Sequence, residues 1–230
     1  MSKDVTPALR TNRSFVIREG RFTDGQKKAF ETLWPKYGID IGDNDLFDPT
    51  RSFVNQQPLM LDVGFGNGDS LLSLAQQRPD MNFLGVEVYR PGIGAVLLKL
   101  EKHDINNVRV MNVDAMQLLK THMPSDILAG VMVWFPDPWP KKRHHKRRLV
   151  QEAFLSELSR CMQNKGILHL ASDWQPYVEF MFDHVALVKT FKRLKTDINP
   201  LKFERPLTRF EQRGLRKGHQ VSDLIYQVNK

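Results

Sequence analysis

The chain has 230 residues, 41% of them hydrophobic, with 34 Lys+Arg against 26 Asp+Glu for a net charge of +8, and one cysteine. That length suits one α/β domain with extensions and argues against a second core; the lone Cys161 excludes an internal disulfide and reads as a small buried side chain near a helix end. The basic balance favours phosphate-rich partners, while the absence of an apolar leader or of any run near the ~18 apolar residues of a membrane span points to a cytoplasmic protein.

Residues 1–57 read as an N-terminal extension with a short helix, and residues 58–230 as the main domain. Thr23 is a good N-cap for a helix running to Trp34, ahead of Pro35. Phe15, Phe22 and Trp34 are assigned to packing this segment, and Gly38 to Gln57, rich in Asp, Asn, Pro and Gly, forms a loop. From Pro58 the pattern alternates. Strand Leu59–Val63 runs into Gly64-Phe65-Gly66-Asn67-Gly68, and Asp69 caps a helix to Gln77. Strand Asn82–Val88 precedes a helix over Gly94–His103, and strand Val108–Val113 a short helix over Met116–His122. A fourth strand lies within Ile127–Phe135, helix Arg148–Met162 follows, then strand Gly166–Ala171 and helix Gln175–Val188. Phe191 to Lys230 adds one or two strands at an edge. This spacing predicts an α/β fold with a doubly wound, mostly parallel, Rossmann-like sheet.

Gly64-x-Gly66-x-Gly68 follows a strand and opens a helix, where missing Cβ atoms let the backbone turn tightly toward a ligand. The spacing differs from the G-x-G-x-x-G of nicotinamide dinucleotide sites and favours a cofactor without pyrophosphate. Acids stand at successive strand ends: Asp62 before the loop, Glu87 closing strand two, Asp114 after strand three and Asp137 after strand four. Glu87, 19 residues beyond Gly68, is placed to take both ribose hydroxyls, Asp114 to reach an adenine amine, and Asp62 to face a cationic end of the ligand. S-adenosylmethionine, with its sulfonium and amino group, matches that set.

The stretch V-M-V-W-F-P-D-P-W-P-K-K-R-H-H-K-R-R, Val131 to Arg148, combines both themes. A buried strand delivers Asp137 between two prolines that stiffen the turn and remove two N–H donors. Six cations (Lys141, Lys142, Arg143, Lys146, Arg147, Arg148) and two histidines follow at once, where a phosphate-contacting role outweighs that of a solvated helix start. His144 and His145 have no partner at zinc-ligand spacing, so no metal is expected. Trp139 and Trp174 are assigned to packing rather than base stacking.

These motifs resemble the bacterial-type tRNA (guanine-N7)-methyltransferases, a family of the class I methyltransferase fold. The resemblance runs from about Arg13 to Val228 through R-S-F-V-I-R-E-G-R, D-V-G-F-G-N-G, V-E-V-Y-R-P-G-I-G, F-P-D-P-W-P-K-K-R-H-H-K-R-R, S-D-W-Q-P-Y and T-R-F-E-Q-R-G. It implies that Asp62, Glu87, Asp114 and Asp137 line the methyl-donor site and that Asp137 is catalytic. It further implies that Lys141, Asp173 and the run Thr208, Arg209, Phe210, Glu211 contact substrate, and that Arg143, His144, His145, Lys146, Arg147 and Arg148 contact RNA. The target it implies is the variable-loop guanosine at position 46 of tRNA. Asp62 stands where Glu is usual, one methylene shorter, which makes a water-bridged contact the expectation. Tyr89 replaces a frequent His and Ser222 a frequent Trp.

Guanine N7 has an in-plane lone pair and no proton to lose, so attack on a sulfonium methyl needs positioning and electrostatic support rather than a general base or metal. For the N1–H and N2–H₂ edge of guanine, Glu211, Asp173 and Asp137 are candidates in that order, with Lys141 or Thr208 serving O6. Two other readings stay open. An amino-group methyltransferase would use a D-P-P-[YFW] turn, which D-P-W matches poorly. A non-catalytic RNA-binding protein would have no need of acids at four strand ends. A monomer or simple homodimer is expected.

Overall fold

A computed structural model describes residues 14–15, 22–194, 205–208, 211, 218 and 220–230. Five parallel strands, β1 (Leu59–Val63), β2 (Asn82–Val86), β3 (Val108–Met111), β4 (Leu128–Trp134) and β5 (Met162–Ser172), form most of one sheet. Two C-terminal strands, β6 (Phe191–Arg193) and β7 (Ser222–Val228), close one edge in antiparallel pairing. The order β3-β2-β1-β4-β5-β7-β6 reverses direction between β1 and β4, which opens a crevice at their carboxyl ends. Every residue of β1 and β2 is buried, Asp62 and Asn82 included, as in strands covered on both faces.

Helices α1 (Asp24–Tyr37), α2 (Pro49–Ser52), α3 (Asp69–Gln77), α4 (Arg90–Lys102), α5 (Ala115–Thr121), α6 (Glu152–Cys161) and α7 (Gln175–Leu187) flank the sheet. Two apolar clusters result, one per face: Leu61, Val131, Val133 and Leu168 with α5, α6 and α7, and Met60, Phe83, Val110 and Met132 with α1, α3 and α4. Thr23 and Gln26 form a reciprocal capping box at the start of α1. α1 lies on α4, where Gln26 Nε2 donates to the Pro91 carbonyl at 3.0 Å and Gly94 leaves room for the crossing, since a Cβ there would sit 2.8 Å from Gln26 Cβ. Phe22, Phe30 and Trp34 pack ring on ring, as expected of Phe22 and Trp34.

Several boundaries differ from the sequence expectation. α1 continues through Pro35 because the fully buried Tyr37 anchors its last turn, its hydroxyl donating to Glu101 at 2.8 Å. Gly68, in a left-handed conformation at φ 73°, takes the N-cap of α3 in place of Asp69, which moves into the first turn and pairs with Lys99. α4 begins at Arg90, four residues early, with Pro91 in its first turn. The stretch from Arg148 is helical only from Glu152, because the preceding Lys142–Arg147 winds as a separate 3₁₀ turn. β5 starts directly at Met162 and bulges before Ile167, with Lys165 at φ 67°. Cys161 closes α6, fully buried, its thiol pushed up to about 11 by burial.

Candidate active site

The glycine loop leaves β1 at Val63, and Gly64 N–H donates to the Val86 carbonyl at 2.8 Å, which ties the loop to β2. Gly64, Gly66 and Gly68 all have positive φ (77°, 57° and 73°), so side chains would strain the turn. Gly92 of α4 lies against this loop, and a Cβ there would stand 2.4 Å from the Gly66 carbonyl oxygen. The first turn of α4 therefore packs directly under the glycine loop.

Glu87 is held by three backbone donors: Gly66 at 3.0 Å on Oε2, Val88 at 2.7 Å and Tyr89 at 2.9 Å on Oε1. Burial raises its pKa against these bonds, and the nearby Asp137 adds to the rise. A carboxylate accepts about four hydrogen bonds, so Glu87 retains capacity for a ribose hydroxyl rather than a full double contact. Asp114 caps α5 through Oδ1, accepting from Gln117 N–H at 2.9 Å, which leaves its second oxygen for a ligand amine. Asp62 is 3% exposed; burial pushes its carboxyl up to about 7, with Glu87 contributing. A buried acid in that state accepts a cation readily, because the cation restores what desolvation removed.

Two adjoining cavities fill the crevice. Glu87, Asp114 and Asp137 line the first, together with Ser14 and Phe15; Asp62, the glycine loop and Thr208 line the second; Gly64, Trp134 and Phe135 belong to both. Lys141, Asp173 and Glu211 are on neither wall, and Arg209 and Phe210 lie outside the described residues, as does most of the motif R-S-F-V-I-R-E-G-R. Phe15, expected as packing, instead forms part of the cavity wall. The spare oxygens on Glu87 and Asp114 and the cation-seeking Asp62 fit the ribose, adenine and charged end of S-adenosylmethionine.

The turn carrying Asp137 is strained. Phe135 and Trp139, each just before a proline, have φ of 53° and 44°, where bulky residues rarely sit. Such positions cost on the order of 1–3 kcal/mol each and persist only where surroundings over-determine them. Phe135 N–H donates to Ala171 O at 2.8 Å, Trp139 Nε1 to Ser14 O at 3.1 Å, and Arg148 Nε to Pro138 O at 2.9 Å.

Arg148 thereby departs from its expected place on an RNA-facing surface. It is 2% exposed, its guanidinium 4.9 Å from the Tyr177 ring centroid and 4.6 Å from that of Phe180. It secures the turn from within, and His145, beside it at 3.2 Å and against Phe180, shares that role. Lys141, Arg143 and Lys146 are exposed, whereas Arg147 lies over Trp139, its guanidinium carbon 5.1 Å from the ring centroid. Trp139 is thus a packing residue of the turn, as expected.

Glu211, expected as a base reader, is held in a buried ion pair. It is 5% exposed, accepting from Arg205 at 2.5 and 2.7 Å and from Thr208 N–H at 3.4 Å, while its own N–H donates to Thr208 Oγ1 at 3.0 Å. T-x-x-E here is a reciprocal capping box, a signal visible in the spacing. Arg205, Asp223 and His169, joined to Glu211 in one chain of contacts, were missed, since nothing local in sequence announces a pairing across 54 positions between His169 and Asp223. Among the described residues no cluster of three or more His, Cys, Asp or Glu is placed to hold a metal ion.

A glycine loop at a β1–β4 switch point, ringed by strand-end acids, defines a class I S-adenosylmethionine-dependent methyltransferase. A protein-family model described as a putative methyltransferase matches residues 56–224. A protein of Halorhodospira halophila named tRNA (guanine-N(7)-)-methyltransferase is 46% identical over 224 residues, covering 95% of this chain and 96% of that one. One of the same name from Alkalilimnicola ehrlichii is 46% identical, covering 97% and 95%. Among solved structures, the 16S rRNA methyltransferase KamB aligns with a TM-score of 0.54 at 16% identity, over 94% of this chain and 99% of that one, a likeness of fold. The chain belongs to the tRNA (guanine-N7)-methyltransferase family.

Proposed function

We propose that this protein transfers a methyl group from S-adenosylmethionine to N7 of guanosine in tRNA, at the variable-loop guanosine of position 46. It does so in the cytoplasm as a monomer or simple homodimer, with residues 58–230 as the catalytic domain and residues 1–57 as an extension. No helix among the described residues is long and apolar enough to cross a membrane. The observation that carries the reading is the meeting of Asp62, Glu87, Asp114 and Asp137 on one crevice, immediately before an exposed cationic turn.

When bound, S-adenosylmethionine supplies an electrophilic methyl on sulfur. Glu87 and Asp114 orient its nucleoside and Asp62 faces its charged end. Asp137, held by the strained turn, stands where it can orient guanine and support the cationic charge dispersed along the displacement axis. Asp173, at the carboxyl end of β5, and Lys141, at the start of the basic turn, extend the substrate surface from the same side of the sheet. N7 has no proton to lose, so none of these groups needs to act as a base.

Purified protein, unmodified tRNA and labelled S-adenosylmethionine should yield N7-methylguanosine, with Asp137→Ala slowing the rate by about 10²–10³. Rates should change little between pH 7 and 9. Methyl on an exocyclic amine would transfer the assignment to amino-group methylation, and donor binding without transfer to any RNA would leave an RNA-binding protein.

A further inference from the structure

Arg205 spreads one guanidinium between two carboxylates. Nε and Nη2 donate to Asp223 at 2.8 and 3.2 Å, while Nη1 and Nη2 donate to Glu211 at 2.5 and 2.7 Å, in a side chain only 12% exposed. Paired contacts of this kind fix orientation as well as distance, because the planar fork matches each carboxylate in one geometry. Both acids are tethered in turn. Asp223, near the start of β7, pairs with the buried His169 of β5 at 2.7 Å, and Glu211 caps Thr208. The guanidinium carbon also lies 5.5 Å from the ring centroid of Phe135 and 5.9 Å from that of Trp134. One side chain therefore joins the antiparallel edge of the sheet, a turn whose Thr208 lines the glycine-loop cavity, and the strained residue two positions before Asp137.

We infer that Arg205 is a positioning residue for methyl transfer: it clamps Glu211 to Asp223 and rests on Phe135, so that the Thr208 turn and Asp137 hold guanine in one reactive geometry. The inference rests on the methylation reading above. A bridge serving stability alone would lower the unfolding temperature and leave turnover by the folded enzyme intact. A positioning clamp acts on turnover, since displacing reacting groups by about 1 Å costs up to about 10²-fold.

The test uses Arg205→Lys, which keeps the charge and loses the fork, together with Glu211→Gln and the double variant, all in the full chain and well below their unfolding temperatures. Arg205→Lys should retain donor affinity by calorimetry and KM for tRNA within about threefold while kcat falls roughly tenfold or more. The kcat loss in the double variant should fall short of the product of the single losses, because both open one clamp. Unchanged kcat in folded Arg205→Lys, or losses that simply multiply, overturns the clamp. If Arg205→Lys does not fold, the isosteric Asp223→Asn replaces it: a fall in kcat at steady KM supports the clamp, and an unchanged kcat overturns it. A parent enzyme that makes no N7-methylguanosine overturns the methylation reading and the clamp with it; an active parent beside an equally active variant overturns the clamp alone.

Discussion

Asp62 shows how a single carboxyl links stability to ligand binding. Unfolded, it releases its proton near the ordinary 3.8; folded and without ligand, burial holds the proton to about pH 7. Between those values the folded protein keeps a proton that the unfolded chain has lost, so stability falls as pH rises through that window and levels off above it. Calorimetric unfolding at pH 5 and pH 8 should show this decline in the parent and a much smaller one in Asp62→Asn. A cationic ligand reverses the preference, and donor binding at pH 6 should release a proton, measurable as a dependence of binding heat on the ionisation enthalpy of the buffer. The same substitution should weaken donor binding by about 1–3 kcal/mol, as for a lost charged partner. The position of Asp62 was legible in sequence, as were Glu87 and Asp114, because each stands at or near the carboxyl end of a strand. Its protonation was not legible, since that depends on how completely neighbouring elements exclude water.

The basic turn divides by direction rather than by residue type. Arg143 and Lys146 are exposed, as phosphate contacts would have to be, whereas Arg148 is buried. Replacing Arg143 and Lys146 with Ala should flatten the log K versus log salt slope for tRNA by roughly 1.5 units, at about 0.7–0.9 per contact. Arg148→Met should leave that slope alone and cost about 1–3 kcal/mol in denaturant unfolding, because the Pro138 and Pro176 carbonyls lose their donor. Eight consecutive residues rich in charge carry no periodicity that separates inward from outward, so sequence spacing could not sort them. The parallel strands and most helices were legible from apolar runs and caps. At Pro35 a distant contact moved the boundary, the Tyr37 hydroxyl on Glu101, while at Gly68, Arg90 and Met162 local backbone geometry did so.

At the scale of the molecule, β7 is a wedge. It pairs with β5 over six residues and with β6 over three, and buries Leu224, Ile225, Tyr226 and Val228. A chain cut after Val221 should lose its cooperative thermal transition and aggregate, because β5 becomes an open apolar edge; a soluble, cooperatively folding truncation would refute this. β6 meets the rest of the sheet through β7, so it cannot dock when it leaves the ribosome, although it is made some thirty residues sooner. At about 5–20 residues per second that is a wait of a few seconds, during which β5 lacks its neighbour and Arg205 lacks Asp223. The order of synthesis thus places assembly of the active site after β7 has been made, and a chain lacking β7 gains neither a closed sheet nor a finished site.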